Sequence, residues 1–278
     1  MTAVDDKMKV PKIDPRIRER RNKVFRSSGR KRLYAIVTII LTFVLLLGLH
    51  FLLRTSIFSV QTINVYGSTH YSKGSIISSS GVVLGTPLTE IDPKVVAKRL
   101  ESMPWNAAVT VHKNWPSTLN ISVTGRFPLV VIAESATTDL LVDSTGRVLA
   151  QQSSALSGNW IRLCWSSNIS SSKQLKSQAG CTFQSVPVGS FISAKYRPLL
   201  VVASALRSSH FSQITELALS SNGGIDGLLR SGVAVRFGST SLLDQKIRSL
   251  GLILKQASIA GYSTIDVRVP AEPVLSNW

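Results

Sequence analysis

The chain has 278 residues, a formal net charge of +17 and a pI near 10.4. This length is enough for one or two domains with cores of their own, so oligomerisation is not required for stability. The charge alone would suggest nucleic acid, but its densest part is residues 1–32, which carry 12 Lys or Arg against 4 acidic residues. Membrane topology and attraction to anionic lipid explain such a tail, so we predict no nucleic-acid partner. With prolines and few apolar residues, the tail is predicted to be disordered.

An uncharged apolar segment follows the tail at residues 33–53. At about 1.5 Å per residue, 21 residues cross the roughly 30 Å hydrocarbon core, whereas a cleaved signal peptide is shorter and ends in small residues. A buried core helix would show polar positions at helical spacing. We therefore predict a retained transmembrane helix. Four basic residues closely precede this helix: Arg26, Arg30, Lys31 and Arg32. Only Arg54 closely follows it, so the N-terminal end of the helix is expected on the cytoplasmic side.

Residues 57–126 form the first predicted domain, with the order strand, helix, helix, strand, strand. Alternating apolar residues predict the strands at 58–65, 107–113 and 118–124, and the helices are expected at 71–80 and 89–103. Asp92 is suited to cap the second helix and Pro93 to occupy its first turn.

Residues 127–278 form the second predicted domain, which is rich in short strands. Strands are expected at 129–133, 140–143, 147–150, 160–164, 214–220 and 233–237, with a break at Gly223-Gly224. Helices are predicted at 197–208 and 241–260, and a final strand at Thr264–Val269. The fold class is therefore α+β: a single transmembrane helix, then an α+β domain, then a mixed β-sheet domain with packed helices.

Two cysteines, Cys164 and Cys181, border a serine-rich polar loop at residues 165–180. They lack CxxC spacing and a neighbouring histidine, which argues against zinc. In an oxidising compartment the pair indicates a disulfide, and in a cytosol it indicates two unrelated thiols. Given the predicted topology, we expect the disulfide.

Three runs resemble the FtsQ/DivIB family of bacterial cell-division proteins, which carry a POTRA domain directly behind a signal anchor. They are the opening strand with Val60, Ile63, Val65 and Gly67; the run from Trp115 to Pro128; and LVDSTGRVL from Leu141 to Leu149. The end of the chain, GSTSLLDQKIRSLGLIL followed by IDVRVPAEPV, is similar to the end of the family's β domain. The segment 165–186 departs from the family pattern as an insertion.

The resemblance implies a non-catalytic membrane scaffold of the division machinery, enriched at the septum. Implied partners are FtsB/DivIC-type and FtsL-type bitopic proteins, the septal peptidoglycan synthase and its transpeptidase, and the membrane itself. No cofactor is implied. The family binds its FtsB-type partner through the last strand of the β domain by strand addition. The positions that match this strand are Ile265, Asp266, Val267, Arg268 and Val269, with Val274 beside them. We expect Ile265, Val267 and Val269 to face the core, and Asp266 and Arg268 to point outward.

The alternative is a membrane-anchored extracytoplasmic cell-wall enzyme. Ser170–Lys173 matches SxxK, and Ser220–Asn222 and Arg230–Gly232 resemble the other two penicillin-binding motifs. The first match lies in a serine-rich loop rather than at a helix start, and the other two are too close together. No histidine shows metal-ligand spacing, so we predict that the chain is not an enzyme.

Overall fold

The computed structural model describes residues 15–53, 56–68, 70–156, 160–165, 185–220, 222–256 and 261–277. Helix α1 runs from Pro15 to Leu53. Its segment Arg32–Phe51 is the one helix in the described ranges that is long and apolar enough to cross a membrane. Its apolar side chains are exposed, as expected for a helix that faces lipid and not for a core helix.

The structure differs from the prediction in the basic tail. Residues 15–32 were expected to be disordered, but they continue α1 as a helix. Arg, Lys and Glu are good helix formers, and no proline follows Pro15 in this stretch. Residues 1–14 lie outside the described residues.

The first domain contains the predicted elements in the predicted order, with β1 shifted toward the C-terminus. Its three strands lie in the order β1-β3-β2, with β1 parallel and β2 antiparallel to β3. The Oδ1 of Asp92 accepts a hydrogen bond from the amide of Lys94 at 2.9 Å, which confirms the predicted helix cap. The elements are β1 (Thr62–Ser68), α2 (Lys73–Ser80), α3 (Pro93–Glu101), β2 (Asn106–Asn114) and β3 (Thr118–Gly125).

The second domain is built on a mixed sheet. Among the described residues, its nine strands lie in the order β12-β11-β10-β9-β8-β7-β4-β5-β6. The strands are β4 (Pro128–Ala133), β5 (Thr138–Asp143), β6 (Val148–Ser153), β7 (Ile161–Trp165), β8 (Ile214–Leu219), β9 (Ile225–Leu229), β10 (Ala234–Gly238), β11 (Thr264–Asp266) and β12 (Val274–Ser276).

Helices α4 (Arg197–Ser208) and α5 (Leu243–Gln256) pack together on one face of this sheet. The bounds of α4 agree with the prediction. Helix α5 begins two residues later than expected, because Leu242 adopts a positive φ of 53° that a helix cannot continue. Residues 257–260 of the predicted helix lie outside the described residues.

The end of the first domain is packed against the second domain. Trp105, which precedes β2, contacts an apolar cluster of Val131, Leu141 and Leu149 on the sheet face opposite the helices. The side chain of Arg147 donates hydrogen bonds to the carbonyl oxygens of Glu101 and Ser102, where α3 ends. Because these are the unsatisfied carbonyls of a helix terminus, the guanidinium caps α3 from the other domain.

Candidate functional site

Strand β12 forms one edge of the nine-stranded sheet. It pairs antiparallel with β11 in the register Thr264 to Ser276, Ile265 to Leu275 and Asp266 to Val274. The amide of Ser263 donates to the carbonyl oxygen of Ser276 at 3.0 Å, so the main-chain groups of Ser276 point toward β11. Since these groups alternate along a strand, the N–H and C=O of Leu275 point away from the sheet. The described residues thus leave an open edge at β12.

Apolar side chains from β11, β12 and the turn between them pack into the hydrophobic core and fix the position of the edge. Ile265 and Val267 are fully buried, and the Leu275 side chain packs on the same core. The hydroxyl of Ser249 on α5 donates to the carbonyl oxygen of Pro270 at 2.6 Å, which ties the turn between β11 and β12 to the helix. Helix and edge therefore form one packed unit.

A buried lysine fixes the start of α5 against β10. The Nζ of Lys246 donates to the carbonyl oxygens of Phe237 at 2.8 Å and Ser239 at 2.9 Å. Burial lowers the pKa of Lys246, and the negative charge of Asp266 opposes that shift. The lysine satisfies two carbonyls that the end of β10 leaves unpaired.

A bidentate ion pair joins Asp266, which lies on β11 opposite Val274 of the edge strand, to Arg268. The guanidinium of Arg268 contacts both carboxylate oxygens of Asp266, with Nη2 2.6 Å from Oδ2 and Nε 3.0 Å from Oδ1. The backbone amide of Arg268 also donates to Oδ1 at 3.0 Å. The Arg268 side chain is 59% exposed and its aliphatic part lies beside Gly238 at the end of β10, so a charge of fixed geometry faces solvent one strand away from β12.

Electrostatics of this region follow from a row of charges across β9, β10 and β11. The strand registers align Asp226 with Arg236 and Arg236 with Asp266. Burial would raise the pKa of Asp266, but hydrogen bonds from Arg268 and the charges of Arg268 and Arg236 outweigh burial and lower that pKa. The same hydrogen bonds raise the pKa of Arg268. Burial raises the pKa of Asp226, although Arg236 opposes it.

Two expectations for this region are wrong, and one is partly right. Strand β11 ends at Asp266 and lies between β10 and β12, so Thr264–Val269 is not the edge strand. Val269 is exposed, although Ile265 and Val267 face the core as expected. Val274, which was expected only beside the binding strand, belongs to the edge strand itself together with Leu275. The sequence did contain a signal for β12. Residues 270–273 read PAEP, and two prolines between short apolar runs favour a turn that is followed by a second strand.

Two family models match the chain. "POTRA domain, FtsQ-type" covers residues 58–126, and "Cell division protein FtsQ/DivIB, C-terminal" covers residues 131–268. The chain belongs to the FtsQ/DivIB family. Its first domain is the POTRA domain of this family, and its second is the family's β domain.

Relatives named cell division protein FtsQ agree with this assignment. The Streptomyces collinus protein is 27% identical over 258 residues, which is 91% of both chains. The Mycobacterium leprae protein is 27% identical over 221 residues, or 80% of this chain and 57% of that one. The Corynebacterium glutamicum protein is 29% identical over 119 residues, which is 43% of this chain and 53% of that one. The chain thus spans little more than half the length of the latter two relatives.

Of the remaining predicted residues of this FtsQ/DivIB family member, those that the structure describes lie away from the edge. Cys164 is buried on β7 beside Ala218 of β8. Cys181 and the SxxK run from Ser170 lie outside the described residues, so the disulfide stays a prediction. Ser220, from the second enzyme-like run, donates to Asn222 Oδ1 at 2.7 Å and to the carbonyl oxygen of Gly224 at 2.8 Å, which is a turn contact. In the described ranges, no three His, Cys, Asp or Glu side chains gather as metal ligands do.

Proposed function

We propose that this chain is a non-catalytic bitopic scaffold of the bacterial division machinery. It links FtsB/DivIC-type and FtsL-type proteins to the septal peptidoglycan synthase and its transpeptidase. The open β12 edge beside the Asp266–Arg268 pair carries the proposal, because unpaired main-chain groups accept an extended segment and an adjacent fixed charge selects it.

The proposed binding mode is addition of one strand from the FtsB-type partner alongside β12. Outward main-chain groups of Leu275 supply hydrogen bonds, and the exposed Val274 side chain supplies apolar contact. Arg268 faces an acidic residue of the incoming segment, while Asp266 holds the guanidinium in position. Strand addition fixes register through side chains on alternate residues, so specificity resides in these flanking groups.

A pair of variants at Leu275 tests this mode. Leu275→Pro removes the outward N–H, and proline is tolerated on an edge strand where its nitrogen faces solvent. Leu275→Ala is the matched control, because it loses the same side-chain packing but keeps the N–H. We expect capture of the FtsB-type partner to be lost in L275P and retained in L275A, with similar melting temperatures. Equal capture by both variants contradicts strand addition at β12.

The topology that this function requires is a cytoplasmic N-terminus, with the POTRA and β domains outside the membrane. The basic residues before α1's apolar segment favour this orientation. Protease added to cells stripped of their walls is expected to digest the chain beyond residue 54 and to spare the N-terminal end. A fluorescent fusion is expected to concentrate at the septum of dividing cells. Protection of the β domain contradicts the topology, and a uniform membrane signal contradicts the division role.

A further inference from the structure

Three segments of the POTRA domain meet at the end of the domain where the chain arrives from α1. The amide of Val60 donates to the carbonyl oxygen of Thr86, and the amide of Leu88 donates to that of Phe58, each at 2.9 Å. On the other side, the amide of Gln61 donates to the carbonyl oxygen of Ser117 at 2.9 Å. Segment 57–61 is therefore held between loop 82–88 and the β2–β3 turn.

This end of the domain exposes apolar side chains on all three segments. Val83 is 69% exposed, Leu84 62%, Ile57 56% and Trp115 50%. The ring of Trp115 is held edge-on by Phe58, with 6.0 Å between the ring centroids. We name these four side chains the POTRA tip. Single exposed apolar residues are ordinary, but a group gathered at one end of a domain indicates a contact surface.

The connection to α1 limits how far the POTRA tip can lie from a membrane. Ile57 is four residues after Leu53, the last residue of α1, so the two are separated by at most about 14 Å of extended chain. The polar interfacial region of a bilayer is about 5–7 Å thick on each side of the hydrocarbon core. A tip tethered this closely lies within reach of the interface if α1 crosses the bilayer.

We propose that the POTRA tip inserts into the bilayer interface and holds the POTRA domain against the membrane surface. Trp115 has the character of an interfacial residue, with an apolar ring and a polar N–H. Val83 and Leu84 are each more than 60% exposed on loop 82–88, so their apolar side chains are free to enter the boundary between headgroups and acyl chains. The partner surface is lipid, and the β12 edge in the other domain stays available for a protein.

Charges around the tip argue for an apolar rather than an electrostatic contact. Four charged residues lie within four sequence positions of the three segments: Arg54 before Ile57, Lys113 before Trp115, and Glu90 and Asp92 after loop 82–88. These charges balance, so anionic headgroups are not required. Zwitterionic lipid is sufficient for insertion, and added salt leaves the contact unchanged.

Photo-crosslinking in the full chain tests this proposal without removing any domain. A benzophenone amino acid replaces Leu84 in chain reconstituted into nanodiscs of zwitterionic lipid, and mass spectrometry identifies the adducts. The matched control places the same group at Tyr66, which is 54% exposed toward the far end of β1. We expect lipid adducts at position 84 in several-fold excess over position 66, with no change on adding salt.

Other outcomes overturn the proposal. Equal lipid labelling at the two positions, or adducts at 84 with a second copy of the chain in place of lipid, places the tip away from the bilayer. A second arm adds Val83→Asp, which is expected to lower the lipid yield at 84 while the melting temperature stays unchanged; an unchanged yield also contradicts insertion. The proposal requires α1 to span the membrane but not the scaffold function, and partner capture through β12 is measured independently of both arms.

Discussion

Arg126 Nη1 lies 2.6 Å from Asp143 Oδ2, and this ion pair ties the end of β3 to the turn between β5 and β6. Both side chains are largely buried, and the same guanidinium donates from Nε to the carbonyl oxygen of Asn106 at 3.0 Å. The other carboxylate oxygen of Asp143 accepts from the amides of Thr145 and Arg147. The LVDSTGR run, noted from sequence as a family feature, therefore builds the junction between the POTRA and β domains.

Removing this pair is expected to loosen the two domains. Arg126→Ala leaves the buried carboxylate of Asp143 without its cation, which costs about 3 kcal/mol in the free energy of unfolding. Denaturant unfolding of the detergent-solubilised chain measures this cost. Arg268→Ala is the control, because it breaks an ion pair of the same type that is exposed and contributes about 1 kcal/mol or less. Equal effects of the two variants contradict a stabilising junction.

Glu216 on β8 links stability to pH. The side chain is only 3% exposed, and burial raises its pKa from 4.5 to about 7, although the nearby charge of Arg162 opposes the shift. The folded chain therefore retains a proton that the unfolded chain releases between pH 4.5 and about 7. Because the folded state binds more protons in this window, the free energy of unfolding falls as pH rises through it.

Glu216→Gln is expected to remove this dependence. The amide has the same shape and no charge, so the variant is more stable than the parent at pH 8, by about 3 kcal/mol from the size of the shift. Below pH 4.5 the two chains have similar stability. Thermal unfolding across pH 4–8 checks this, with exposed Glu272→Gln as the control. A constant difference between E216Q and the parent across the whole range contradicts the linkage.

Strand β9 shows why part of the β domain was not predicted from sequence. Its five residues contain Gly227, and in the sequence a glycine at this position argues against a continuous strand. In the fold, a Cβ at Gly227 would lie 3.1 Å from Phe237 and 3.3 Å from Ile214, so close packing explains the glycine. That constraint comes from residues distant in the chain, and no local pattern contains it.

Elements with a strong local signal were predicted well. Helix α4 has its predicted bounds, and the cap of α3 is made by Asp92 as expected. The edge strand was misplaced because Thr264–Val269 alternates like a strand along its whole length, whereas only three residues find partners in β10 and β12. Pairing of neighbouring strands, rather than alternation, determines where a short strand ends.

A disulfide between Cys164 and Cys181 remains a prediction that mass spectrometry can test. Cys164 is buried between β7 and β8, and closing the loop to Cys181 is expected to contribute about 3 kcal/mol in the chain-entropy account. Peptide mapping of protein from the native envelope, without reductant, should give one linked pair of peptides. Recovery of two alkylated thiols contradicts the prediction.

Charge reversal at Arg268 tests whether the fixed guanidinium selects the partner at the β12 edge. R268E places a second carboxylate beside Asp266 and presents a negative charge to the incoming segment. We expect affinity for the FtsB-type partner to fall at least tenfold, equivalent to about 1.4 kcal/mol, because the favourable pair becomes a repulsive one. The melting temperature should change little, since Arg268 is mostly exposed.

Two controls separate a specific contact from a general effect of charge. Lys98→Glu makes the same charge change at an exposed position of α3 in the POTRA domain and is expected to bind as the parent does. Raising the salt concentration should weaken the parent complex more than the R268E complex, because only the parent retains the attractive pair. If R268E binds with parental affinity, or if K98E weakens binding equally, the guanidinium of Arg268 does not contact the partner, and recognition at β12 rests on the main chain and Val274.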